Sequence, residues 1–288
     1  MYNPSQSHVI LVPYDFSDRA DCALAHAKVI AATAKDQIAL LHVYNNESKA
    51  RAKKLALSLK DLNTELSKLA ESVTASTGIQ VDYMLEEGSI FEIIPAVVRR
   101  LDARLLVMGT HGIQGMQHIT GANILKIAEE SPVPDIIVQG KRPNEGGYRT
   151  IVFPLDSTRE SKQKTFQTAA IARLFNAQVL VFAANESDAF VRQQVNLNIQ
   201  FAERTFDENQ VRYELHYEDV KGPSFVKQIM TFAESRRADL IVIMTGQDRD
   251  LLDIFSKTPE ENIINNPAQI AVMCVDPLAA HFGAVLGS

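Results

Sequence analysis

Short apolar runs alternate along this chain with longer segments whose apolar positions recur every three or four residues. In the first half, Val9–Pro13, Gln37–Tyr44, Gln80–Leu85, Leu105–Met108 and Pro134–Val138 read as short strands. Between them lie helical patterns. Ala23–Ala34 is rich in alanine, and Ser17 stands where a helix cap belongs. Leu55, Leu59, Leu62, Leu66, Leu69 and Val73 alternate spacings of four and three, which predicts one apolar stripe on a long helix stopped near Gly78. Ser89-x-x-Glu92 predicts the cap of a further helix, and Pro95 falls inside it, where a kink is expected.

The order repeats in the second half. Val9-Ile-Leu-Val-Pro-Tyr-Asp-Phe-Ser17 is matched by Ile151-Val-Phe-Pro-Leu-Asp-Ser157, and Gln37–Tyr44 by Gln178–Ala183. Gln80–Leu85 matches Gln210–Leu215, Gly88–Phe91 matches Gly222–Phe225, and Leu105–Met108 matches Leu240–Ile243. Pro134–Val138 corresponds to the segment around Ile270–Met273. Ser157-x-x-Glu160 predicts a capping box before the helix that follows the first strand of this half. Strands alternating with helices predict an α/β fold: two tandem open, mostly parallel five-stranded sheets flanked by helices, Rossmann-like in type. The polar stretch Gly140–Gly147 marks the joint. The expected organisation is a domain over 1–140, a linker over 141–148, a domain over 149–277 and a tail over 278–288.

Composition narrows the function. The 288 residues are 46% hydrophobic and 22% charged, as in ordinary globular proteins. A net charge of -6 argues against nucleic acid as a partner. No apolar run reaches membrane-spanning length, and Met1–Ser7 is polar rather than a leader peptide. The two cysteines, Cys22 and Cys274, are expected to be buried thiols in a reducing compartment. His111 and His118 lie near a glycine-rich loop, but no cysteine or paired carboxylate joins them, so no metal site is expected.

The candidate chemistry lies at the strand ends. Ligands of open parallel sheets bind beyond the carboxyl ends of the strands. Those ends carry Pro13-Tyr14-Asp15, His42-Val43-Tyr44 and Met108-Gly109. Asp15 could accept hydrogen bonds from a ribose or a base amine, and Val43 and Met108 could form an apolar slot for a flat ring. Gly109 and Gly112 leave room for phosphates, and the amides of Gly121-Ala122-Asn123 could bind their charge at a helix start. A helix-start carboxylate accounts for Asp15 equally well, and a tight turn accounts for the glycines.

The two halves resemble universal stress protein domains in tandem. The likeness is carried by Val9–Ser17, Leu40-Leu-His-Val43, and Val107-Met-Gly-Thr-His-Gly112 through Gly121 to Pro134–Val138. Members of that family that bind ATP carry Gly, two residues, Gly, nine residues, Gly, then Ser or Thr. The resemblance implies that Asp15 and Val43 hold adenosine, that Pro13 and Met108 line the base pocket, and that Gly109, Gly112 and Gly121 surround phosphates. It implies an adenine nucleotide, ATP or AMP (with Mg for ATP), as ligand, a cytoplasmic stress-response role, and pairing of the domains through their last strands. Here Pro134–Val138 and Ile270–Val275 could make that pairing within one chain, a pseudo-dimer, with a homodimer as a further possibility. Two departures bear on binding: only eight residues separate Gly112 from Gly121, and Ala122 replaces the hydroxyl residue. The second half keeps Pro154-Leu-Asp156. It places Met244 and Gln247 where the first half has Gly109 and Gly112, and adds Asp248, Asp250 and Asp253, so no ATP is expected there. The alternative to a nucleotide-binding regulator is a nucleotide-independent scaffold with an unidentified client. An enzyme is the remaining possibility: there is no Walker A motif, and His111 is the one candidate base near the loop for weak ATP hydrolysis.

Overall fold

In the computed structural model, residues 8–54, 56–110, 121–158, 160–219, 225–245 and 259–276 are described. The first half runs β1 (Val9–Pro13), α1 (Asp18–Ala34), β2 (Gln37–Tyr44), α2 (Asn46–Lys54), α3 (Leu59–Thr77), β3 (Val81–Glu87), α4 (Ile90–Leu101), β4 (Ala103–Gly109), α5 (Gly121–Glu130) and β5 (Asp135–Val138). The second runs β6 (Thr150–Leu155), α6 (Gln163–Phe175), β7 (Gln178–Asn185), α7 (Ala189–Glu208), β8 (Arg212–Asp219), α8 (Phe225–Ser235), β9 (Leu240–Met244), α9 (Pro259–Ile264) and β10 (Ala271–Val275).

The strands form one ten-stranded sheet in the order β3-β2-β1-β4-β5-β10-β9-β6-β7-β8. Within each half every pairing is parallel. The halves meet where β5 and β10 pair antiparallel, Ile136 opposite Met273 and Asp135 opposite Cys274. The expected pairing of the two last strands within one chain is therefore observed.

Alternation along the strands sorts side chains onto two layers. Ile10, Val12 and Leu40 pack against α1 and α3, in a cluster that continues through Phe153 and Val181 to α6 and α7. Leu11, Leu41 and Leu106 pack on the opposite face against α4 and α5, continuing to α8 and α9. Strands covered on both faces become nearly continuous apolar runs, which is the pattern read from the sequence.

Local signals held in part. Ser17 caps α1, its Oγ accepting from the Ala20 amide at 3.2 Å. The stripe from Leu59 to Val73 lies on α3, and Gly78 ends that helix in the left-handed region at φ 73°. The stripe does not extend over one long helix, however. Ser58 and Asp61 form a capping box that starts α3 afresh, separate from α2, and Leu55 lies outside the described residues. Ser89 stands at the start of α4 but makes no side-chain cap hydrogen bond, and α4 runs through Pro95. In the second half the expected capping box at Ser157-x-x-Glu160 is replaced by a tight 3-10 turn over Glu160–Lys162, and α6 begins only at Gln163.

Residues 139–149, between β5 and β6, carry no helix or strand. They are nonetheless anchored. The Lys141 carbonyl accepts from Cys22 Sγ at 3.3 Å and bonds His26 Nε2 at 3.0 Å. Since a carbonyl only accepts, His26 carries its proton on Nε2. Its Nδ1 then accepts from the buried Tyr148 hydroxyl at 2.8 Å. Tyr148 packs edge-on against Phe175 of α6, so this polar pair ties α1 to the second half.

Cys22 and Cys274 are buried and free, as the sequence suggested. Beside Cys274 sits Asp135, 1% exposed, accepting from Ser131 Oγ at 2.9 Å. Burial raises the Asp135 carboxyl well above the usual range, and the Asp276 charge adds to this. A carboxyl raised in the folded state stabilises fully below its unfolded pKa, and that contribution fades as pH rises through the folded value. Asp135→Asn is isosteric and cannot ionise. Its denaturant midpoint is expected to match wild type near pH 4 and to gain on it steadily as pH rises. Parallel curves for the two proteins would mean that Asp135 ionises as freely in the folded chain as in the unfolded one.

Candidate functional site

Chain order sets the position of the site. From β1 the chain proceeds to β2 and β3 on one side, then returns to β4 and β5 on the other. The crevice beyond the carboxyl ends of β1 and β4 is thus a topological switch point, where open α/β sheets take ligands. Asp15 follows β1 and Gly109 ends β4. The second half has the same switch point between β6 and β9, flanked by Asp156 and Met244.

The residues expected at the first-half site are distributed as follows. Pro13 ends β1, opposite Leu41. Val43 and Met108 lie in the cluster on the α4 and α5 side and are nearly buried. Pro13, Asp15 and Gly109 are half-buried. Tyr14 turns to the other face: it packs in the α1-side cluster, and its hydroxyl donates to the Asp21 carboxylate on α1. Burial, and then that hydrogen bond, raise its phenol above the ordinary range, so it serves as a donor. Gly121, Ala122 and Asn123 form the first turn of α5, whose N-terminal amides have no partner within the helix. Gly112 lies outside the described residues, as do His111, His118, Gln247, Asp248, Asp250 and Asp253.

Two of these residues carry structural duties. The Asp15 Oδ1 accepts from the Ser17 amide at 3.1 Å and from the Ser17 hydroxyl, which itself caps α1. A β-carbon on Gly109 would lie 2.4 Å from the Arg19 carbonyl oxygen, so glycine is what lets the first turn of α1 rest on β4. Between Asp15 and Ser17, Phe16 adopts φ 61°, a left-handed conformation uncommon for a bulky residue. Its ring packs on Tyr14 and His42, with centroids at 5.3 and 5.2 Å. His42 was legible only as part of a strand end. The structure shows its Nδ1 bonded to the Tyr14 carbonyl at 2.7 Å. A polar ring inside the apolar run Gln37–Tyr44 was the one local signal.

The second-half counterpart is built differently. Asp156 Oδ1 accepts from the Thr158 amide and hydroxyl and from the Ser161 hydroxyl, at 2.9, 2.6 and 2.6 Å. Burial pushes this carboxyl upward, but the Lys164 ammonium and the Ser161 and Thr158 bonds outweigh it and hold it below the usual range. Lys164 is itself buried, its ammonium 5.3 Å from the Phe153 ring centroid. Asn198 of α7 donates to the carbonyls of Asp156 and Thr158 at 2.8 and 2.7 Å. Met244, at the Gly109 position, joins the α6-side cluster. The position equivalent to Arg19 lies here in the 3-10 turn Glu160–Lys162, ahead of α6. Lys164 and Asn198 were not singled out from sequence, because each acts across the fold rather than within a motif.

Known proteins give a consistent picture of the fold. Residues 7–139 match the model of the Universal stress protein family. A universal stress protein from Archaeoglobus fulgidus superposes with a TM-score of 0.69 at 15% identity, over 94% of this chain and 99% of that one. A functionally unknown protein from Pseudomonas aeruginosa superposes with a TM-score of 0.66 at 17% identity, over 98% and 96% of the two chains. At these identities the shared feature is the fold: an α/β architecture with a mostly parallel sheet flanked by helices. No curated protein sequence matches the chain. No helix among the described residues is long and apolar enough to cross a membrane.

Proposed function

We propose that this chain is a tandem universal stress protein whose first domain, 1–140, binds an adenine nucleotide and acts as a regulator in the cytoplasm. The second domain, 149–277, is its structural partner. One observation supports the reading: within the stretch that matches the family model, Asp15, Val43, Met108 and Gly109 lie at the carboxyl ends of β1, β2 and β4, the strands beside the switch point. Asp15 and the backbone beside Val43 would hold adenosine, Pro13 and Met108 would flank the base, and the first turn of α5 at Gly121-Ala122-Asn123 would face the phosphates of ATP or AMP. No nucleotide is expected in the second half, where the Lys164 ammonium and the Ser161 and Thr158 hydroxyls engage Asp156.

The second reading is a nucleotide-independent scaffold. It is favoured by the capping bond of Asp15 and the Arg19 contact of Gly109, each of which explains its residue without a ligand. Calorimetric titration of the nucleotide-free protein with AMP and with Mg-ATP separates the two. Saturation at one site per chain is expected. Asp15→Ala is expected to weaken AMP by about tenfold or more, since a hydrogen bond to a charged group is worth about 1.5–3 kcal/mol. No saturable heat at millimolar nucleotide would leave the scaffold reading standing.

A further inference from the structure

The two halves hold the same loop, the one after their first strand, in opposite ways. In the first half the Tyr14 peptide is fastened to β2 at both of its polar atoms. The Tyr14 amide donates to the Leu41 carbonyl at 2.8 Å, and the Tyr14 carbonyl accepts from His42 Nδ1 at 2.7 Å. The carbonyl fixes the tautomer: Nδ1 carries the proton. In the second half, Pro154 pairs with Phe182 as Pro13 pairs with Leu41, so the residue at the His42 position is Ala183. Alanine has no donor. There the loop carbonyls of Asp156 and Thr158 are taken from the helix side by Asn198, and the Asp156 carboxylate is drawn to Ser161, Thr158 and Lys164.

We infer that His42 is a positioning residue of the first-half crevice, setting the direction of Asp15 by clamping the Tyr14 carbonyl from the strand side. The inference rests on the nucleotide reading above and adds to it the group that fixes the peptide leading into Asp15. The Tyr14 carbonyl belongs to the peptide unit that leads directly into Asp15, so a rotation of that unit swings the Asp15 side chain. The left-handed Phe16 that follows leaves the loop little freedom to compensate: its ring is packed on His42 itself and on Tyr14. His42 is 3% exposed, so its ring is held on several sides and the clamp is rigid. The clamped peptide sets Asp15 so that its Oδ1 meets the Ser17 amide and hydroxyl at the start of α1. In the second half, where the strand offers no donor, Asn198 holds the Asp156 and Thr158 carbonyls from the helix side instead.

The test is AMP calorimetry on the full chain with melting curves beside it, for wild type, His42→Leu, His42→Asn and His42→Gln. Asparagine can place an amide donor where Nδ1–H stands, whereas glutamine reaches to the Nε2 position. Wild type is expected to bind. His42→Leu is expected to lose about tenfold in affinity while melting as a folded protein, because the peptide leading into Asp15 is no longer held and the carboxylate must be re-ordered when the ligand binds. His42→Asn should recover most of that loss and His42→Gln should not. Binding by wild type with unchanged affinity in His42→Leu overturns the inference and leaves the nucleotide reading intact. Should the leucine variant fail to fold, the asparagine and glutamine variants decide, and equal affinities for those two overturn it. Absence of AMP binding by wild type overturns the nucleotide reading, and the inference with it.

Discussion

Gly109→Ala should destabilise the protein by about 3 kcal/mol, the upper part of the range for overpacking a filled interior. The added carbon would meet not a flexible side chain but the Arg19 backbone, 2.4 Å from its oxygen and 2.6 Å from its carbonyl carbon. Relief requires the first turn of α1 to lift from β4. That turn carries the Ser17 cap, and it is tied through Ser17 to Asp15 and through Asp21 to Tyr14. Stability and the geometry of the crevice should therefore fall together. Urea unfolding of the variant at neutral pH measures the first, and a midpoint equal to wild type would show that α1 does not rest on β4 in this way. Met244→Gly offers the contrast. Met244 packs in the α6-side cluster, so the substitution removes packing and opens a cavity instead of relieving a clash.

Gly109 also shows where sequence reading stops. A glycine after an apolar strand is consistent with a phosphate loop and with a close backbone approach, and only coordinates reveal the Arg19 contact. The repeat itself was legible, because strands buried on both faces leave unmistakable apolar runs and the order of those runs was preserved. The antiparallel β5–β10 joint followed from the same runs together with the family resemblance. Helix starts were less legible. Ser17 and Ser157 look alike as caps, yet the chain after Asp156 winds a 3-10 turn in which Ser161 bonds the carboxylate, and α6 starts five residues later than a capping box at Ser157 would place it. The apolar stripe from Leu55 to Val73 concealed a break, because periodicity survives an interruption when Ser58 and Asp61 restart the helix in phase. Residues 111–120, which include Gly112, lie outside the described residues. Contacts across more than a hundred residues, such as His26 with Tyr148, leave no local pattern at all.

That last contact governs the second large effect, a loss of stability in acid. Burial lowers the His26 pKa from 6.5 to about 4, against the opposing pull of the Lys141 carbonyl and with help from the Lys141 charge. The geometry agrees: with Nε2–H given to Lys141 and Nδ1 accepting from Tyr148, a second proton would displace the Tyr148 hydroxyl from its acceptor. The unfolded chain binds a proton near pH 6.5 and the folded chain does not until about pH 4. Through that window the unfolded state carries more protons, so stability falls as pH falls. The full contribution is present above pH 6.5, and about 3 kcal/mol of it is lost by pH 4, because each pH unit between the two values contributes about 1.4 kcal/mol. Other carboxylates add their own slopes, so the informative quantity is a difference. His26→Gln can keep a donor and an acceptor in the joint but cannot take up the proton. Its denaturation free energy should be lower than wild type at pH 7.5, where the imidazole fits its partners better, and the gap should close or reverse by pH 4. The groups that face His26 sharpen the expectation. Cys22 on α1 is itself pushed up by burial and stays neutral, and Tyr148 remains a phenol throughout, so neither of these neighbours titrates within the window to mask the imidazole. Because Tyr148 also packs against Phe175, the acid-induced loss should be felt first as a weakening of the contact between α1 and the second half. Amide exchange in α1 and α6 that accelerates together below pH 6 in wild type, and not in His26→Gln, is the expected signature. Equal pH slopes for the two proteins would remove His26 from the joint.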